Sequence, residues 1–295
     1  MTQTKTAGRV AEAAAAAAQS SDPTKKVPTR RMSFEESMRE LPRHFAEDGD
    51  LISCHVIAAL SSVFPDGEDY FVRSVRRFRD EVTDPALKRQ VAGFIGQEAV
   101  HGREHRVVND RLGELGYPTK RYERLTRAGL RVRERILSAK SNLAATAALE
   151  HFTATLAELV LSDEDVRRQM GADAVRDLFV WHALEESEHK AVAFDVYKAV
   201  GGGERLRVFT MNVFRFGFVI GMGLAVVVSL VGDRATIGPV RCAGAGGGCG
   251  APRSWIPPSG PSSRTTTGPT STPTTATRPH WWKPGGASSS GSTGP

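Results

Sequence analysis

The chain has 295 residues, 40% of them hydrophobic, which is enough apolar material to bury a sizeable core without covalent staples. Three cysteines, of which only Cys54 falls in a segment that reads as folded, exclude a disulfide framework and point to a reducing, cytoplasmic compartment. The net charge of +6 comes from stretches such as 73–79 and 121–135, where arginines interleave with apolar residues at helical spacing. A solvated helix face explains them, and with no aromatic platform or recognition motif beside them no nucleic-acid partner is expected.

Residues 1–30 hold an alanine run but no apolar core flanked by a charged start and a cleavage site, so a disordered leader is expected rather than a signal peptide. From Ser33 to about Gly232 apolar residues recur at intervals of three and four, with Gly and Pro concentrated between segments, which predicts an all-α fold. Ser33, with Glu36 three residues on, reads as the N-cap of a first helical region that passes Pro42 and runs through Leu51–Val63. Phe64-Pro65-Asp66-Gly67 is expected to end it, and Asp66 to cap a new helix carrying Glu68, Tyr70, Phe71, Val75 and Phe78. Asp84-Pro85 starts the next, which runs to Leu115-Gly116. After an Arg-rich connector come an Ala/Leu-rich helix, Ser141–Leu161, and another over Ala172–Val200, closed by Gly201-Gly202-Gly203. Four long helices can then face one another in residues 31–232.

An apolar helix is predicted over 208–232, and its run Phe216–Val231 is slightly short for a membrane span, which needs about 20 residues. A helix docked on the core and a membrane anchor or interfacial segment both remain open, with Gly217 and Gly221 a hint of close packing. Residues 233–295 change abruptly to Gly, Pro, Ser and Thr without a hydrophobic period and cannot bury a core. They also look like GC-rich codons read out of frame. Codons for Asp-Tyr-Asn-Arg-Pro-Asp-Phe-His-Pro-Asp-Asp, read one base later, spell Thr265 to Thr275 of this chain. We hypothesise that a frameshift has replaced the native C-terminus, which would make Cys242, Cys249, Trp281 and Trp282 irrelevant to function. Resequencing that returns the same frame, shared by close relatives, would refute this.

The chemistry lies in two Glu-x-x-His segments, Glu98 to His101 and Glu186 to His189. Three residues turn a helix by about 300°, so each pair projects a carboxylate and an imidazole from one face. A bundle that holds two metals takes such a pair from each of two helices and a lone Glu from each of the other two. Glu68 and Glu150 are the lone carboxylates, although Glu68 has a competing explanation as an early-turn acid favoured by the helix dipole. His182, four residues before Glu186, adds an imidazole to the same stripe; that spacing favours Glu186 over Glu185 or Glu188. The expected metal ligands are therefore Glu68, Glu98, His101, Glu150, His182, Glu186 and His189. His105 is expected to support a ligand or a substrate carboxylate from behind. His44, His55 and His151 read as structural or surface histidines, and His280 lies in the tail.

Through Phe64 to Glu68, Gly96 to His105, Ala148 to His151 and Trp181 to His189 the chain resembles a bacterial family of predicted metal-dependent hydrolases, over about residues 31–232. The resemblance implies a ferritin-like four-helix bundle, here with an extra N-terminal helix and the apolar C-terminal helix. Members of that family tend to end with a segment like Asp-Tyr-Asn-Arg-Pro-Asp-Phe-His-Pro, which this chain lacks in its present frame. At motif level the ligand pattern is also similar to that of p-aminobenzoate N-oxygenases, di-iron enzymes with an additional histidine on the fourth helix, which His182 matches.

Ligation by Glu and His without Cys suits two iron ions, with manganese or a mixed pair as the alternative and zinc if the chemistry is hydrolytic. Oxygen-dependent oxidation of a small organic substrate is the first expectation. Hydrolysis by a metal-activated water and a non-catalytic ferritin-like metal-binding role are its alternatives. A small-molecule substrate and an electron donor are the expected partners. Membrane contact through 213–232 and a homodimer stay open.

Overall fold

The computed structural model describes residues 27–233, and expectations for the leader, the tail, its reading frame and His280 concern residues outside these. The described residues contain helices and no strand. A short helix α1, Glu35–Met38, starts after Phe34 without the side-chain cap assigned to Ser33. A 3₁₀ turn, Glu47–Gly49, leads to Asp50, whose carboxylate accepts the Ser53 amide at 2.7 Å and opens α2, Leu51–Arg76.

Helix α2 corrects the expected break at Phe64-Pro65-Asp66-Gly67, because it runs straight through Pro65. A proline inside a helix strips the carbonyl four residues earlier of its partner. Here that carbonyl belongs to Ser61, and Asn109 Nδ2 donates to it at 3.1 Å, so the lost backbone bond is replaced from a neighbouring helix. Asp66 is not a cap; it is buried and paired with Arg127 at 2.8 Å.

Asp84 accepts the amides of Ala86 and Leu87, Pro85 takes the first helical position, and α3, Pro85–Glu114, follows as expected. The Arg-rich connector is itself a helix, α4, Thr119–Ile136, tied down by Arg127 on Asp66 and by Arg133 on the Ser141 carbonyl at 2.9 Å. Helix α5, Ala139–Ser162, is capped by Ser138. After α6, Glu164–Gln169, the predicted helix over 172–200 is found in two pieces, α7, Asp173–His189, and α8, Val192–Ala199. Lys190 and Ala191 form a turn between them whose backbone angles stay right-handed. Helix α9, Glu204–Gly232, is longer than predicted.

Two apolar clusters form the core. One takes Cys54, Ile57 and Ala58 from α2, Val108 and Leu112 from α3, Val160 and Leu161 from α5, and Val175 and Leu178 from α7. The other takes Tyr70 and Val75 from α2, Val91 and Phe94 from α3, Leu143 and Ala147 from α5, and Val196 and Tyr197 from α8. Along each of α2, α3, α5 and α7 the candidate ligands fall between the two clusters. Helices α2 and α7 therefore run one way and α3 and α5 the other, with a polar layer sandwiched at their middle.

Helix α9 packs on α5 and α2. Tyr122 donates to the Ala225 carbonyl at 2.6 Å, and His55 reaches Ser229 Oγ at 2.6 Å and Asp233 Oδ2 at 3.1 Å. Much of the remaining surface of α9 faces outward. Only 6% of its most apolar stretch is buried, and by length and composition it is able to cross a membrane.

Candidate metal centre

All seven predicted ligands are buried and meet in the polar layer, Glu68 from α2, Glu98 and His101 from α3, Glu150 from α5, and His182, Glu186 and His189 from α7. Glu186 Oε1 is the hub. It lies 3.0 Å from His182 Nε2, 3.4 Å from His189 Nε2 and 3.6 Å from His101 Nδ1. Glu98 Oε1 and Glu150 Oε2 approach the same His189 nitrogen at 2.8 and 3.5 Å, and Glu68 Oε1 lies 3.8 Å from His182 Nε2. The Glu98 contact is close but lacks hydrogen-bond alignment, so both atoms stay unpartnered.

Each of the three histidines has its outer nitrogen fixed. Gln97 Nε2 donates to Glu188 at 2.8 Å and to the Pro28 carbonyl, which leaves Gln97 Oε1 to accept from His189 Nδ1 at 2.7 Å. Glu185 Oε2 accepts from His101 Nε2 at 3.1 Å, and Arg30 holds Glu185 at 3.0 Å. The third chain is longer. Ser61 Oγ donates to Asn109 Oδ1 at 2.7 Å, so His105 Nδ1 donates to Ser61 at 2.9 Å and His105 Nε2 accepts from His182 Nδ1 at 2.7 Å. With the outer nitrogens donating, a neutral ring would turn its inner lone pair to the cluster, as metal-ligating imidazoles require; without metal, His182 Nε2 donates to Glu186 Oε1 at 3.0 Å instead.

Arg30 arrives on the segment before α1, which crosses α3 at two glycines. A Cβ on Gly93 would lie 2.3 Å from the Val27 carbonyl oxygen and one on Gly96 would lie 2.2 Å from Thr29 Oγ1. Only glycine lets this strap lie close enough for Arg30 to reach Glu185 and Glu188.

The electrostatics are those of a cluster built for added positive charge. Burial and the neighbouring Glu98 and Glu186 carboxylates push Glu68 and Glu150 well above the usual carboxylate range. Burial also opposes ionisation of Glu186, but His189 and His182 outweigh it and hold that carboxyl well below its ordinary value. Burial lowers His101 and His105 strongly; at His189 the same penalty is overcome by Glu186 and the pKa rises. Both oxygens of Glu68, Glu98 and Glu150, Glu186 Oε2, His101 Nδ1 and His189 Nε2 lack hydrogen-bond partners. So many orphaned donors and acceptors in one layer carry a cost in stability that ligation would remove. The donor set fits a metal: Glu68, Glu98 and His101, Glu98, Glu186 and His189, and His101, His182 and Glu186 each bring three atoms within 4.8 Å of one another.

Of the side chains weighed against these, Glu185 and Glu188 turn outward to Arg30, His55 is buried against α9, and His151 is exposed. Sequence reasoning assigned no role to Gln97, Ser61, Asn109 or Arg30. An apolar cavity of about 300 Å³ touches His182 and Glu186, with Phe64 and Phe179 in its wall.

An all-α protein with a buried Glu/His layer able to hold metal is the class these observations define. Residues 28–245 match the family model described as predicted metal-dependent hydrolase, and the chain belongs to that family. Comparison with curated proteins and with solved structures finds no match.

Proposed function

We propose that the chain is a metal-dependent enzyme of ferritin-like four-helix type, whose seven Glu and His ligands hold two iron ions and which oxidises a small hydrophobic substrate with O₂. The convergence of three imidazoles and three further carboxylates around Glu186 carries this reading, since one ion has no use for so many buried donors. When bound, iron supplies the redox equivalents. The chain supplies a buried layer between two apolar clusters, carboxylates free to change their ligation, and imidazoles whose outer N–H groups are pinned. An external electron donor belongs to the same reading, as does membrane contact through 213–232. The outward apolar side chains of Phe216, Val219, Ile220 and Leu224 support that contact.

Hydrolysis is the second reading, favoured by the family's description. There the ions would supply Lewis acidity and a more acidic water. The buried Glu185 is a poor general base for it, being committed to Arg30 and His101.

The deciding experiment loads the purified chain anaerobically with ferrous iron and then admits O₂, beside Glu186→Ala and His182→Ala. Two irons per chain and diferric absorption, both lost in the variants, are expected. Ions inert to O₂, with ester or phosphate turnover by the zinc form, would replace oxidation by hydrolysis. Inert ions without turnover would leave a non-catalytic metal protein.

A further inference from the structure

Between α9 and the helices α4, α5 and α2 lies a second and larger cavity of about 600 Å³, partly open to the surface. Its walls are almost wholly apolar, with Phe71, Leu149, Phe152 and Phe218 among them. Glu68, buried and without a hydrogen-bond partner on either oxygen, lies in its wall, and the exposed Arg121, Leu125, Val213 and Leu224 are where it opens to the surface. The cavity thus connects the candidate metal layer with the exterior.

Its shape follows from the helix that roofs it. The lining positions on α9 run from Val213 to Val228, which at 1.5 Å per residue is about 22 Å of helix. A volume of about 600 Å³ drawn out along that length makes the cavity elongated. An elongated apolar slot of this kind matches one extended hydrocarbon chain lying along α9. The volume is also several times the roughly 150 Å³ that suffices to hold benzene. Gly217 and Gly221, one turn apart on α9, and Gly67 on α2 line it, and a Cβ added at any of them meets nothing within 4 Å. The glycines leave the slot open where larger side chains would have filled it at no steric cost.

We infer that this slot is the binding site of a single unbranched hydrocarbon chain, with the end that is to react at Glu68 and the tail lying along α9. The reacting end rests on the enzymatic reading given above, while occupation of the slot by a chain does not.

The test titrates the full chain, loaded anaerobically with ferrous iron, with octan-1-ol, decan-1-ol and dodecan-1-ol in a calorimeter. Each buried methylene is worth about 0.8 kcal/mol, so affinity should rise about fourfold per added carbon. Gly217→Leu and Gly221→Leu fill the slot and should weaken dodecan-1-ol binding at least tenfold. Gly223→Leu, on the same helix but off the cavity wall, should not. Leucine favours helix over glycine, so all three should fold, with circular dichroism as the check. Affinity that ignores chain length overturns the inference. So does an unchanged affinity in the two wall variants, because the alcohols would then sit on the outer face of α9. Iron stoichiometry, measured separately on each variant, reports on the metal centre alone, so either idea can fail without the other.

Discussion

Gln97 shows how much of the site depends on a side chain that would never touch a metal. Its amide is oriented by Glu188 and the Pro28 carbonyl, and that orientation makes Oε1 the acceptor for His189 Nδ1. Gln97→Leu keeps the volume and removes the acceptor. Affinity for one equivalent of metal should fall about 10- to 100-fold, read by competition with a chromophoric chelator, while far-UV circular dichroism stays unchanged. The seven candidate ligands were legible beforehand because helical spacing forces residues three and four apart onto one stripe, and two such stripes with two lone carboxylates make a countable pattern. Gln97, Ser61 and Asn109 were not. A neutral amide or hydroxyl carries no periodic signal, and its role is set by which helix happens to face it.

At the scale of elements the apolar period placed α3, α5 and the start of α7 well, and failed where tertiary contacts overrule local chemistry. Phe64-Pro65-Asp66-Gly67 carries every local signal of a helix end, yet Asn109 supplies the hydrogen bond that Pro65 removes and α2 continues. Glu68 consequently sits in the third quarter of a long helix, which removes its explanation as an early-turn acid. The extent of α9 was likewise hidden, since its polar first turns carry no apolar run. Its far end is held by His55, buried on α2 between Ser229 and Asp233. His55→Leu would leave those groups without this partner, a loss of about 1–3 kcal/mol. Amide exchange over residues 226–232 should accelerate accordingly while that of α3 and α5 stays as before; uniform acceleration across the chain would mean that α9 is not a separate unit.

For the whole molecule the polar layer sets function against stability. Four carboxylates and three imidazoles occupy the space between two apolar clusters, where burial alone works against them. Metal repays that cost only when bound, so the chain should be markedly less stable without it. At a free-metal concentration about a hundred times Kd the gain is about 2.7 kcal/mol, or about 5–10 °C in Tm for a domain of this size. Glu150→Gln separates this linkage from ordinary packing. It keeps the shape but removes a carboxyl that must take up a proton to stay buried without partners, so the metal-free Tm should rise by about 2–4 °C for each kcal/mol recovered. The same change deletes a ligand, so the increment on adding ferrous iron should shrink. Calorimetry with and without metal on both proteins gives the four numbers needed. If Glu150→Gln instead lowers the metal-free Tm and leaves the increment intact, then Glu150 serves the fold and not the metal, and the two-ion reading loses one of its seven ligands.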